Sequence, residues 1–378
     1  MKWGSSDAGL FGEAVGRFDP ARLTQARRLA GETKKRVAEA LGVSAVAVGQ
    51  WELGAQPRPD HIEALAELFD LPPSFFVGGR AYARLDASKT HFRSLRKTPA
   101  KERERAVAFT EQVWEVAHAL EQRIELPPVD LPGFSAGESV PVATDPEQAA
   151  RALRRHWGLP PGRVPRLVRL LERHGIIVTM AEFVGVKTAT VDAFSTSHLP
   201  RPVIVLTPDR ADDVYRHRFT AAHELGHLIL HGDVEPGDGV QEREADRFAA
   251  EFLTPRSEIV PLLPVRVDFN RLSVLSLEWG VGVDSLIYRA HETQNISEAA
   301  YRRAFQKLAQ LRKIGLFDPQ PVSNFPGEKP QLLIQAYELA QTTGLTVTKL
   351  ASELRIRPNR VRTLLGMPDD RPVLTLVE

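Results

Sequence analysis

The sequence predicts a mostly helical α+β protein built from several domains. Its 378 residues exceed what one ordinary hydrophobic core organises. Amphipathic segments of helical period, closed by Gly or Pro, recur along most of the chain, and strand-like runs cluster in one stretch, 176–207. Apolar residues at 43% and charged residues at 26% are ordinary for a globular protein. The absence of cysteine excludes a disulfide scaffold and a thiolate metal site, so any metal must be held by His, Asp or Glu. No apolar run has bilayer length, and MKWGSSDAGLFGEAVGRF lacks the pattern of a secretory signal, so we expect a cytoplasmic protein with no membrane partner. A net charge of +1 names no partner. Locally, 80–105 is basic and 233–258 acidic; such blocks read first as solvated faces, with a nucleic-acid footprint as the alternative for the basic one.

Residues 1–78 read as a compact set of short helices. RLTQARRLAG (22–31) is amphipathic and ends on a glycine. TKKRVAEALGV (33–43) starts on a threonine cap and breaks at Gly42, SAVAVGQWELG (44–54) starts on a serine cap and stops at Gly54, and PDHIEALAELFDLPPSFF (59–76) ends in prolines. Two helices joined by a short turn at Gly42 have helix-turn-helix spacing, with the second free to enter a major groove of double-stranded DNA. Residues 79–132 read as a basic linker and a long charged helix, Ala100 to Glu125, ending at Pro127, Pro128 and Pro132. From 133 to 265 helices alternate with strand-like runs at 176–183, 191–197 and 202–207, a small three-stranded sheet whose edge would align an extended peptide. Residues 266–314 extend that region as helices. Residues 315–378 read as a proline-rich linker and a small helical domain, in which TVTKLASELRIRPNRVRTLLG (346–366) echoes the spacing of the first helix pair and is either a second helix-turn-helix or a generic helix pair.

The chemistry concentrates in TAAHELGHLILH (220–231). Residues four apart lie on one face of a helix, about 6 Å apart along its axis. His223 and His227 can therefore present two imidazoles to one ion, while Glu224 projects beside it as a general base. His231 would be the third member of a run spanning about 12 Å of helix, too long to share one ion. It reads instead as a supporting residue, a substrate contact or a helix-terminal histidine. The third ligand is expected from QEREADRFAAEFL (241–253): Glu242 ligates, and Asp246, on the same face, accepts a hydrogen bond from a ligand histidine. Glu244 is expected to face solvent. Two histidines and a carboxylate favour Zn2+. Tyr215, His217 and His231 are near in sequence for oxyanion stabilisation, though each reads first as structural.

RFTAAHELGHLILH followed by EREADRFAAEFLTP closely resembles the ImmA/IrrE-type metallopeptidases, a gluzincin-like group. TKKRVAEALGVSAVAVGQWELGAQPRPD resembles Xre-type (Cro/C1-like) helix-turn-helix domains, and HFRSLRKTPAKERERA (91–106) is similar to linkers in chains that fuse the two. The likeness covers about residues 20 to 310. It implies a cytoplasmic zinc endopeptidase with a zincin-like fold, joined to a transcriptional regulator, cutting a helix-turn-helix repressor or partner, or itself, to relieve repression. In that pattern His223, His227 and Glu242 are the ligands and Glu224 the acid/base; Asp246 stands where asparagine is commoner. The competing reading is a transcription factor whose peptidase-like domain senses a ligand or metal, or binds an antitoxin partner, without cutting. At the DNA end Ser44 and Gln50 can hydrogen-bond base edges, Ala45 or Val46 can meet a thymine methyl, and Lys34 and Lys35 can contact phosphates. A homodimer on two half-sites is expected for operator binding, with partner docking as the other use of such a module.

Overall fold

A computed structural model describes residues 18–85, 91–92, 99–135, 138–139, 145–181, 193–207, 212–232 and 239–367. The chain divides into two compact units. One comprises Met1–Ala87, Pro99–Leu126 and Leu332–Glu378, the other Ser88–Thr98 and Pro127–Gln331.

In the first unit, α1 (Pro20–Ala30), α2 (Lys34–Leu41), α3 (Ala45–Glu52) and α4 (Pro59–Phe69) form the helix-turn-helix bundle. Its punctuation is local chemistry. The Thr33 hydroxyl accepts from Arg36 N at 3.2 Å and the Ser44 hydroxyl from Ala47 N at 3.1 Å, each satisfying an amide that the helix leaves open. Gly42, at φ 67°, turns the chain between α2 and α3 in a conformation that a Cβ would strain. Leu23, Val37, Val48, Ile62, Leu65 and Phe75 form a fully buried core.

The long charged helix is α5 (Ala100–Glu121), and its stretch Ala106 to Ala117 is buried. Arg22 of α1 pairs with Glu115 of α5 at 2.6 Å, and Arg105 donates to the carbonyls of Leu29 and Ala30 at 3.1 and 3.0 Å, closing the C-terminus of α1. Arg80 is also drawn inward, donating to Phe75 O at 2.8 Å. Part of the basic block thus holds helices together, while Lys89, Arg93, Arg96 and Lys97 lie outside the described residues.

The C-terminal helices α14 (Leu332–Gln341), α15 (Val347–Leu354) and α16 (Pro358–Leu365) belong to the same unit. The pair α15–α16 repeats the geometry of α2–α3: eight residues, a left-handed residue (Arg355, φ 50°), then eight residues, with Thr346 capping as Thr33 does. Unlike α3, however, α16 lies against α5, its Arg360 donating to Gln112 at 2.8 Å and covering the Phe109 ring at 5.4 Å. The division by contact therefore differs from the sequence-ordered one, because α5 packs against α1 on the one hand and α14, α15 and α16 on the other.

In the second unit, β1 (His91–Phe92), β4 (Ile177–Met180), β5 (Ala193–Thr196) and β6 (Val203–Leu206) form a sheet in the order β1-β5-β6-β4. The three expected strands are present, and β1 adds an antiparallel edge to β5, with His91 opposite Ser195. β5 and β6 are antiparallel, β4 and β6 parallel. A two-stranded ribbon, β2 (Phe134–Ser135) and β3 (Glu138–Ser139), stands apart from this sheet. Helices α6 (Pro146–His156), α7 (Leu167–Arg173), α8 (Val214–Leu230) and α9 (Gly239–Leu253) join the sheet around a core that includes Ile204, Ala222, Leu225, Phe248 and Phe252. Short α10 (Arg256–Ile259) leads to α11 (Phe269–Trp279), α12 (Val283–Glu292) and α13 (Glu298–Lys313).

The proline-rich stretch after α13 straps the second unit down. Val214 N donates to Gln320 O at 2.7 Å, and buried Glu328 accepts from Leu167 N at 2.9 Å while pairing with Arg218. Arg166 stands at the cap of α7 without a capping side chain, so Glu328 satisfies the open amides from a distance in sequence. Among the described residues no helix is long and apolar enough to cross a membrane.

Candidate metal centre

Helix α8 begins on Asp213, whose carboxylate accepts from Tyr215 N at 3.0 Å, and His231 is its C-terminal cap. The buried face of α8 packs against β5, β6 and α9. Close approach of α9 depends on Gly226: a Cβ there would lie 3.1 Å from Phe248 Cδ1 and 3.3 Å from Ala245 Cα. Ala245 and Ala249 keep the facing side of α9 small.

That packing brings Glu242 to the two histidines. His223 Nε2 and His227 Nε2 are 3.0 Å apart, and the Glu242 carboxylate lies 3.6 Å from the first and 3.5 Å from the second. A tetrahedral ion with bonds of about 2 Å separates its ligand atoms by roughly 3.3 Å. The three side chains therefore have the spacing and donor chemistry of a zinc-type site, and they form the potential metal-holding group found among the described residues. Burial pushes the Glu242 carboxyl up, but its hydrogen bonds and charge interactions with the two histidines outweigh this and hold it near about 2. It is thus an ionised oxygen donor at neutral pH.

Residues 171–291 match the IrrE N-terminal-like domain of the M78 peptidase family, and residues 23–76 match the helix-turn-helix family. The chain thus carries an N-terminal helix-turn-helix region fused to an ImmA/IrrE-type region. No curated protein matches the chain significantly. The ImmA/IrrE-type match spans β4 to α12 and so includes every residue of the cluster.

Around that cluster the ImmA/IrrE-type domain places further groups. Glu224 is fully buried, and Ser195 of β5 donates to its Oε2 at 2.8 Å. His223 Nδ1 lies 2.8 Å from Asp246 Oδ1. His231 turns its Nδ1 to His227 Nδ1 at 2.9 Å, not toward the cluster centre, and its Nε2 lies 3.0 Å from Glu244 Oε2. The expectation that Glu244 faces solvent is thus corrected: it is partly buried, because α8 packs on α9 and brings His231 within hydrogen-bond distance of its carboxylate. The reading from sequence also missed Ser195; its only signal was the run of hydroxyl residues Ser195, Thr196 and Ser197 that closes the strand run 191–197. His217 and Tyr215 are occupied by the strap, His217 Nε2 lying 2.8 Å from Glu328 O and the Tyr215 ring 6.1 Å from that of Phe325.

At the helix-turn-helix domain, Ser44, Ala45, Val46 and Gln50 are exposed together at the start and along the outer side of α3, Val46 by 69%. Lys35 is exposed. Lys34 is half-exposed, and its ammonium lies 3.1 Å from Glu52, which competes with a phosphate for that charge.

Proposed function

We propose that this protein is a transcriptional regulator with zinc-dependent endopeptidase activity, which relieves repression by cutting a helix-turn-helix repressor or partner. The observation that carries the reading is the buried Glu224 carboxylate, fixed by Ser195 beside the His223–His227–Glu242 cluster. A carboxylate in a dry site with one oxygen anchored is oriented for proton transfer rather than for solvation. Zinc at the cluster would supply Lewis-acid polarisation of a peptide carbonyl and acidify a water beside it. Glu224 takes the proton from the attacking water and delivers it to the leaving amide nitrogen, while Ser195 keeps the carboxylate from rotating away. Asp246 fixes the ring of His223 through Nδ1, leaving Nε2 for the ion.

Extended substrate would be aligned by β5, the strand that carries Ser195. Its outer edge is already paired with β1, so a substrate strand joining there has to displace His91 and Phe92. The helix-turn-helix domain is proposed to bind operator DNA as a homodimer, with Gln50 and Ser44 on base edges, Ala45 and Val46 against thymine methyls, and Lys35 on phosphate, Lys34 joining it where it parts from Glu52.

The test pairs zinc content with cleavage of a co-encoded helix-turn-helix protein, in wild type and Glu224→Gln. Wild type should hold stoichiometric zinc and cut; the variant should hold zinc and not cut. Stoichiometric zinc with no cutting of any candidate, the chain itself included, would reject the peptidase reading and leave a metal-sensing regulator.

A further inference from the structure

We propose that His231 and Glu244 form a positioning relay that fixes the tautomer of His227, the counterpart of what Asp246 does for His223. The inference rests on the metal reading above and concerns two residues that neither ligate nor meet substrate in it. His231 is 4% exposed, and its two ring nitrogens face two different partners: Nδ1 lies 2.9 Å from His227 Nδ1 and Nε2 lies 3.0 Å from Glu244 Oε2.

With an ion on the cluster and His231 neutral, hydrogen-bond bookkeeping leaves one consistent arrangement. An ionised carboxylate only accepts, so His231 Nε2 must carry a proton to donate to Glu244. A neutral imidazole has one N–H, so His231 Nδ1 is then a lone pair. The nitrogen facing it, His227 Nδ1, must be the donor. This leaves the lone pair of His227 on Nε2, the atom 3.0 Å from His223 Nε2 and 3.5 Å from Glu242. The reverse arrangement, with the proton on His231 Nδ1, would set a lone pair against the Glu244 carboxylate.

The relay also explains the register of the motif. One turn beyond His227, an i+4 residue stands beside that ring and can reach Nδ1, but not the cluster centre. Helix α9 therefore furnishes Glu242 to the ion and a carboxylate behind each histidine, Asp246 directly and Glu244 through His231. A ligand whose second nitrogen is oriented this way is a better and better-aimed donor, and removing such a partner typically costs about 10–100-fold in metal affinity.

The test uses the full chain with Glu244→Ala, since Glu244 is only partly buried and its loss should leave the fold intact, and His231→Phe as the second variant. Zinc affinity is measured by chelator competition, and the protonated ring nitrogens are assigned by 15N NMR of the histidines in zinc-free and zinc-loaded protein. The expected result is a loss of about 10–100-fold in affinity for both variants, with unchanged circular dichroism for Glu244→Ala. In zinc-loaded wild type the proton should sit on Nδ1 of His227 and Nε2 of His231. Affinity within twofold of wild type in Glu244→Ala, or a proton on His231 Nδ1, overturns the relay. If wild type takes up no zinc the metal reading falls by itself, while a proton on His231 Nδ1 of the zinc-free protein still overturns the relay.

Discussion

Replacing Gly226 with alanine should loosen the metal cluster without touching a ligand. Its Cβ would stand 3.1 and 3.3 Å from Phe248 and 3.3 Å from the backbone of Ala245, each a few tenths of an ångström too close. Phe248 is fully buried, so it has no free direction in which to retreat, and α9 must move. Overpacking of this kind costs about 1–3 kcal/mol. Alanine returns up to about 1 kcal/mol over glycine within a helix, leaving a net loss of about 0–2 kcal/mol. For a unit of this size that corresponds to a thermal midpoint lower by roughly 2–4 °C per kcal/mol. Glu242 rides on α9, so zinc affinity should fall as well, although every ligand is intact. The assay is chelator competition alongside thermal unfolding of the zinc-free chain. If Gly226→Ala melts at or above the wild-type temperature with unchanged zinc affinity, the claim that Gly226 sets the approach of the two helices is wrong.

Three further outcomes are expected. Glu115→Ala leaves the buried guanidiniums of Arg22 and Arg80 without this carboxylate and should cost about 3–5 kcal/mol in denaturant unfolding, whereas Arg22→Met/Glu115→Met, which strips only Arg80, should cost less; equal losses would mean that the Arg22–Glu115 pair itself is stabilising. Burial pushes the Glu111 carboxyl up from its ordinary 4.5 to about 7, against opposing hydrogen bonds from Leu85 N, Tyr82 and Gln25. A raised carboxyl favours the folded state most below its unfolded value and loses that advantage as pH rises to its folded one, so the melting temperature of wild type relative to Glu111→Gln should fall between pH 4.5 and about 7 and level off above. In operator gel-shifts over a range of salt, Lys35→Ala should weaken all sequences alike and reduce the salt slope by about 1, while Gln50→Ala should cost about 1–3 kcal/mol of discrimination at one base pair; equal behaviour of the two variants would remove Gln50 from base readout.

Local chemistry carried far in this sequence. Thr33, Gly42 and Ser44 announce α2 and α3 because capping and left-handed turns are decided within three or four residues. The i,i+4 spacing of His223 and His227, and of Glu242 and Asp246, puts each pair on one helix face whatever lies around it. Long-range pairing left weaker traces. The charged run 101–105 that opens α5 makes the whole helix look solvated and conceals that Glu111 and Glu115 are buried, because their partners, Arg22, Gln25 and Tyr82, lie far back in the chain. Glu244 looks like a surface residue on its own helix; only the packing of α8 on α9 brings His231 to it. Ser195 is one hydroxyl in a strand, given meaning by a glutamate 29 residues later. β1, two residues long, is below what periodicity can register.

The order in which the chain builds its two units bears on what a cut could accomplish. The polypeptide passes between them at 87–88, 98–99, 126–127 and 331–332, so the DNA-binding unit is assembled from three separate lengths of chain. A nick anywhere in 88–98 would sever the peptide yet leave α1 gripping α5 through Arg22, Gln25 and Arg105, as two fragments of one fold remain associated when their shared interior is intact. Self-cleavage in that segment would therefore leave the reader assembled on its operator. To disarm it in cis, the cut would have to fall within the helices of 20–69 themselves, which a folded bundle keeps from adopting an extended form. On the proposed peptidase reading, a second protein that opens more readily is the better target.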